Sequence, residues 1–197
     1  LVDDEQLRNA VSGKKEPQES AAADKAAGDA AGGPTGGLAE NPELLEYGSR
    51  KAVITEYYIS DDKGITTSAI LKGNSFTIHM RVKMMEDLHA PIFAFTIKNV
   101  RGTEITGTNT MFEKAFLEPV EAGEVYDVEF TQKMDLQGGD YLLSLGVTGY
   151  EEDDFTVYHR LYDVLNLTVI SDKNTVGFYD MNSKIEVRKQ DSFKIEN

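Results

Sequence analysis

The stretch Ser75-Phe76-Thr77-Ile78-His79-Met80-Arg81-Val82-Lys83 decides the fold. Phe76, Ile78, Met80 and Val82 alternate with Thr77, His79, Arg81 and Lys83. A period of two sends successive side chains to opposite faces of an extended chain, so this is a half-buried strand. The pattern recurs on both sides. Residues 50–59 (RKAVITEYYI) are strand-like, and Asp61-Asp62-Lys63-Gly64 turns the chain into a second short strand at 65–71. Downstream, residues 91–98 (PIFAFTIK) place Phe93, Phe95 and Ile97 in one row and Ile92, Ala94, Thr96 and Lys98 in the other. A proline at the start of that strand fits, because it has no N–H to donate to the ladder. Residues 125–134 alternate with one slip near Tyr126 that reads as a bulge. Residues 141–148 alternate again, and 155–170 read as a long strand or as two strands joined by a kink at Tyr162-Asp163. Short strands, regular turns and no helix-period run predict an all-β antiparallel sandwich.

Between two of these strands lies Arg101-Gly102-Thr103-Glu104-Ile105-Thr106-Gly107-Thr108-Asn109-Thr110. Two readings fit its glycines and small polar side chains. It is a tight hairpin corner, or a polar ledge that hydrogen-bonds a ligand. Asn109 carries the choice, since it either caps the corner or faces ligand hydroxyls.

Outside the strands the texture changes. Residues 20–40 hold eight alanines and five glycines, 13 of 21 positions, which have little to bury and much chain entropy to lose. Residues 1–45 are therefore expected to be a disordered, flexible linker, since the amphipathic pattern at 1–11 is too short to form a stable helix alone. The sandwich domain is expected over 46–190, with a possible edge strand at 184–189, and a frayed tail over 191–197. The chain starts at Leu1 and reads as a fragment of a longer protein.

Composition narrows the function. The 34 acidic and 20 basic residues give a net charge of −14 and disfavour nucleic acid and anionic lipid as partners. There is no cysteine, which excludes disulfides and thiolate metal sites. No window is long and apolar enough to cross a bilayer as a helix, and no phosphate-binding loop motif occurs. His79, His89 and His159 are widely separated, with no metal-binding spacing between them. The run Glu151-Glu152-Asp153-Asp154 lacks the spaced oxygens and glycine of a calcium loop. No pair of carboxylates on strand faces suggests a sugar-cleaving enzyme. Neither a catalytic residue nor a metal or other cofactor is therefore expected. Binding fits better. A sheet face of Thr, Ser, Asn, Lys and Tyr offers donors, acceptors and aromatic surface, the combination a sugar requires. The expected row is Thr96, Lys98, Ser144, Thr148 and His159, with Arg160 close by and Asn109 at the corner.

The order of Tyr47-Gly48-Ser49, Asp62-Lys63-Gly64, Gly73 before the 76–82 strand, Pro91-Ile92-Phe93, Gly107-Thr108-Asn109-Thr110, Gly139-Asp140-Tyr141-Leu142-Leu143 and Tyr162-Asp163 before Leu167-Thr168-Val169 resembles a known family. It is similar to the C-terminal carbohydrate-binding domain of Wzt-type polysaccharide ABC transporters, over about residues 47–187. The resemblance implies an immunoglobulin-like or jelly-roll sandwich that binds an O-antigen-like glycan near its terminal end without catalysis. It also implies an upstream ATPase domain, contact through that domain with a transmembrane permease, and a cytoplasmic location beside the inner membrane. Finally, it implies a homodimer that exchanges its last strand, for which 184–189 is the matching segment. The competing expectation is a structural dimerisation module that does not touch sugar.

Overall fold

The computed structural model describes residues 34–42 and 44–189. The expectations for residues 1–33 and for the 191–197 tail fall outside the described residues. Nine strands run in order: β1 (Leu45–Tyr47), β2 (Ala52–Asp61), β3 (Ala69–Leu71), β4 (Ser75–Met84), β5 (Ile92–Asn99), β6 (Glu104–Asn109), β7 (Val125–Lys133), β8 (Gly139–Glu151) and β9 (Asp154–Ile170). The larger sheet has the order β1-β9-β8-β5-β6, with β3 also pairing with β9, and the smaller sheet has β2-β4-β7. The expected all-β sandwich is therefore present, with one addition. The short β3 runs parallel to β9, pairing Ala69 with Thr168 and Leu71 with Ile170. Residues 65–68 stay outside the strand expected over 65–71.

The apolar rows named above meet between the sheets. Phe76, Ile78, Met80 and Val82 of β4 face Phe93, Phe95 and Ile97 of β5 and Leu143, Leu145 and Val147 of β8, all buried. Phe95 sets its edge toward Phe130 of β7 at 5.1 Å between ring centres, which favours the ring quadrupoles. The slip near Tyr126 is not a bulge. β4 and β7 pair without a register shift from Ser75–Lys133 to Lys83–Val125, and Tyr126 packs toward Phe93. The bulges lie elsewhere, in β2 at Ile54/Glu56, between β5 and β6 at Ile97/Lys98, and at two places between β8 and β9.

Two expectations about the chain ends change. Residues 34–42, expected in the linker, are bound to the sandwich. The Tyr57 N–H donates to the Pro34 carbonyl at 2.6 Å, Leu38 packs on the core, and the Tyr57 hydroxyl donates to Glu40 at 2.6 Å. Their alanine and glycine content hid this, because the binding uses backbone groups and a few side chains rather than an apolar pattern. At the other end, residues 184–189 form no strand among the described residues. The chain is anchored there by Asp180, whose carboxylate meets Lys72 at 3.0 Å and Lys173 at 2.9 Å, and by the Asn182 amide, which donates to Asp135 at 3.2 Å. Lys173, the Asn182 N–H and Lys72 hold the Asp180 pKa well below the ordinary aspartate value.

Candidate functional site

Alternation along β5 gives the larger sheet a second face, away from the core. Ile92, Ala94, Thr96 and Lys98 form its central row. Across β8 they stand opposite Thr148, Gly146, Ser144 and Leu142, and across β6 Ala94 and Thr96 stand opposite Asn109 and Gly107. On β9, Arg160 pairs with Gly146. The structure thus brings Thr96, Lys98, Asn109, Ser144, Thr148 and Arg160 to one face.

It does not expose them. All six are buried, as is Ala94 between them. Part of the reason is Arg160, whose side chain lies flat over Gly146. A Cβ at Gly146 would come within 3.0 Å of its Cδ and Nη1. Its guanidinium also lies 5.5 Å from the centre of the Tyr162 ring, and the Lys98 ammonium is 4.6 Å from the same ring. The expected wet row is therefore a buried polar row, and its accessible margin is formed by half-buried Tyr47, Tyr162 and Asp163.

That margin is built from distant parts of the chain. β1 pairs with β9, which brings Tyr47 against Tyr162 in a stack with centres 5.8 Å apart and planes at 20°. Burial, followed by the bond to Tyr47, pushes the Tyr162 phenol above its ordinary pKa. Asp163 sits in the β9 bulge at φ +51. Its N–H donates to the Ser144 hydroxyl at 2.9 Å, Ser144 in turn donates to its carboxylate at 3.1 Å, and Lys98 approaches that carboxylate at 3.3 Å. The Asn41 amide donates to its carbonyl at 3.0 Å. Two stacked phenols beside a paired ammonium, carboxylate and hydroxyl make an aromatic platform with donors and acceptors at its edge. Such a site can hold a sugar ring by its apolar face and hydrogen-bond its hydroxyls.

His159 does not belong to this face. It follows the opposite alternation and points inward. Its Nδ1 accepts the Ile54 N–H at 2.8 Å, so the proton sits on Nε2, which donates to Glu46 at 2.5 Å. Burial lowers its pKa below 6.5, against the raising effect of Glu46. The unfolded chain therefore binds more protons than the folded one between the folded value and 6.5. This contribution to stability is complete above about pH 6.5 and is lost as pH falls below it. Denaturant unfolding is expected to give lower stability at pH 5.5 than at pH 7.5, with a smaller difference in His159→Gln.

Asn109 is a cap. Its Oδ1 accepts the Phe112 N–H at 2.8 Å and the residue is fully buried. We expect Asn109→Ala to cost about 1 kcal/mol in thermal or denaturant unfolding, the value of a typical net hydrogen bond. The three histidines stand on separate elements, and among the described residues no group of three or more His, Asp or Glu is placed to hold a metal.

Sequence reasoning missed the pairing of Tyr47 with Tyr162. The two lie far apart in the chain, and nothing in either segment signals that β1 joins β9. The kink at Tyr162-Asp163 was the one available sign.

Fold and face together define a β-sandwich domain with an aromatic, polar-edged face on its larger sheet. The family model of the Wzt C-terminal domain matches residues 44–181, and the chain belongs to that family. A crystal structure of the C-terminal domain of Wzt superposes with a TM-score of 0.70 at 27% identity, covering 77% of this chain and 92% of that one. Two more distant structures superpose poorly. The CARDB domain of the PF1109 protein from Pyrococcus furiosus, with di-metal ions, gives a TM-score of 0.33 at 11% identity, covering 61% of this chain and 94% of that one. A β-glucosidase from Listeria innocua, with gluconolactone, gives 0.34 at 13% identity, covering 58% and 16%. No curated protein matches. The Wzt C-terminal domain is a non-catalytic domain of polysaccharide-export ABC transporters.

Proposed function

We propose that this chain recognises an O-antigen-like cell-surface polysaccharide, near its terminal end, for export driven by an ABC ATPase in the same polypeptide. The observation that carries this reading is the Tyr47–Tyr162 stack flanked by Lys98 and Asp163 at the margin of the larger sheet. Stacked phenols suit the apolar face of a sugar ring, and the flanking groups suit its hydroxyls. Affinity is expected to be weak, because sugar hydroxyls exchange bonds to water for bonds to protein at small net gain. Titrating the chain with the surface polysaccharide of its source organism tests the reading; absence of binding to a folded protein would refute it. On this reading the domain works on the cytoplasmic side of the inner membrane and acts on the permease through the ATPase.

A second reading has its own observation. Ile185 is 83% exposed and Val187 90% exposed, alternating along a segment with no strand partner among the described residues. An alternating segment without a strand partner among the described residues suits exchange into a second copy. Truncation before Val176 is then expected to convert a dimer to a monomer in light scattering. An unchanged mass would remove the exchange, whether or not glycan binds.

A further inference from the structure

At the start of β5 the row on the outer face of the larger sheet opens into a cavity of about 320 Å³. Pro91, Ile92, Met111, Phe116 and Leu117 supply carbon walls, while His89, Glu152 and Tyr150 of β8 bring polar groups to the lining. The Tyr150 hydroxyl is buried and makes no hydrogen bond. Beside the cavity, two further buried polar atoms have no partner: Oγ1 of Thr148, the residue opposite Ile92, and Nδ2 of Asn109, the residue before Thr110. Thr148 and Asn109 are both fully buried. Buried polar atoms are nearly always paired, so three unpaired ones gathered at one end of a sheet are unusual, and of the three residues Tyr150 is the one that lines the cavity. The Thr110 hydroxyl, by contrast, is already used by the Phe93 N–H at 3.2 Å.

The lining therefore has two characters. One side is carbon, where a ligand hydroxyl would lose its water bonds and gain none. The other side holds His89, Glu152 and the unbonded Tyr150 hydroxyl. A fully hydroxylated hexose fits the second side and is penalised by the first. A ring with a methyl group on one edge and hydroxyls on the other fits both. The volume lies at the small end of ligand pockets, which suits one ring and not several. Ile92 and Lys98 are six residues apart on β5, about 20 Å at the strand rise, so a glycan of several residues spans from this cavity to the Tyr47–Tyr162 platform.

We propose that the cavity is a subsite for a 6-deoxyhexose residue, its methyl group against Phe116, Leu117 and Met111 and its hydroxyl edge toward Tyr150. The subsite extends the glycan-binding reading of the outer face and rests on it for its biological meaning. The test is backbone NMR of this chain titrated with two matched pairs: methyl α-L-rhamnopyranoside against methyl α-L-mannopyranoside, and methyl α-L-fucopyranoside against methyl α-L-galactopyranoside. At least one deoxy member is expected to shift the amides of Ile92, Met111, Leu117 and Tyr150, and to bind roughly fivefold or more tightly than its 6-hydroxy partner. Tyr150→Phe removes only an unbonded hydroxyl, so the fold is kept and binding of that sugar weakens roughly fivefold. Silence at these amides with all four sugars, or equal affinity within both pairs, overturns the subsite. The whole polysaccharide separates this failure from that of the wider reading. If it shifts Tyr47 and Tyr162 while the cavity stays silent to the deoxy sugars, the subsite falls and the face stands. If it leaves Tyr47 and Tyr162 unmoved while a deoxy sugar enters the cavity, the face falls and the subsite stands.

Discussion

Replacing Gly48 with alanine is expected to destabilise the domain by about 4 kcal/mol, combining left-region backbone strain with overpacking against a rigid neighbour. Gly48 has φ +135, and a Cβ there would fall 2.4 Å from the Tyr158 carbonyl oxygen and 2.9 Å from the His159 Cα. Those atoms are backbone and cannot swing aside. They are held in place because Ser49 and Arg50 donate to the Val157 and Tyr158 carbonyls at 3.0 and 2.7 Å. Tyr158 itself is one of the largest fully buried side chains. For a domain of this size the loss corresponds to a fall in Tm of about 8–16 °C. Differential scanning calorimetry measures it directly. A shift of a degree or two would mean that β1 is not clasped to β9 as described, and with it the placement of Tyr47 would fail.

Truncating Tyr162 to alanine is the second large effect, this time on binding. Its ring stacks on Tyr47 and carries both Lys98 and Arg160. Removing it deletes the platform and leaves two cations without their aromatic partner. Glycan affinity is expected to fall by about tenfold or more, the equivalent of one lost aromatic contact of roughly 1.4 kcal/mol. Stability should fall by much less than affinity suggests, since the ring is only half-buried and the β9 backbone pairing does not depend on it. Comparing Tyr162→Ala with Tyr162→Phe separates the ring from the hydroxyl. Phenylalanine keeps the stack and should retain most of the binding.

The fold was legible because strand alternation is a direct consequence of burying one face. Phe76 to Val82 and Phe93 to Ile97 occupy the core rows that their spacing predicts. What alternation could not supply was the environment of the other row. Thr96, Ser144 and Lys98 do share a face, as their positions on β5 and β8 require, but polar residue types gave no sign that Arg160 would lie over Gly146 in the same face and that the row would be buried. His159 was misplaced for a related reason. The bulge between Val147 and Thr148 puts one extra residue into β9, so parity counted from Phe155 and Val157 fails at His159. The role of Tyr47 depends on a pairing between the two ends of the domain, which no local pattern encodes. Asn109 was read correctly as a choice between two roles, and its bond to the Phe112 N–H selects the cap.

The central claim is that the margin of the larger sheet binds glycan. Its most direct measurement is the NMR titration of this chain with the surface polysaccharide of its source organism, followed at Tyr47, Lys98, Tyr162 and Asp163. The account predicts saturable shifts concentrated on these four residues, and their loss in Tyr162→Ala under conditions where that variant remains folded. Saturable shifts confined to the smaller sheet, or no shifts at millimolar sugar, would contradict it.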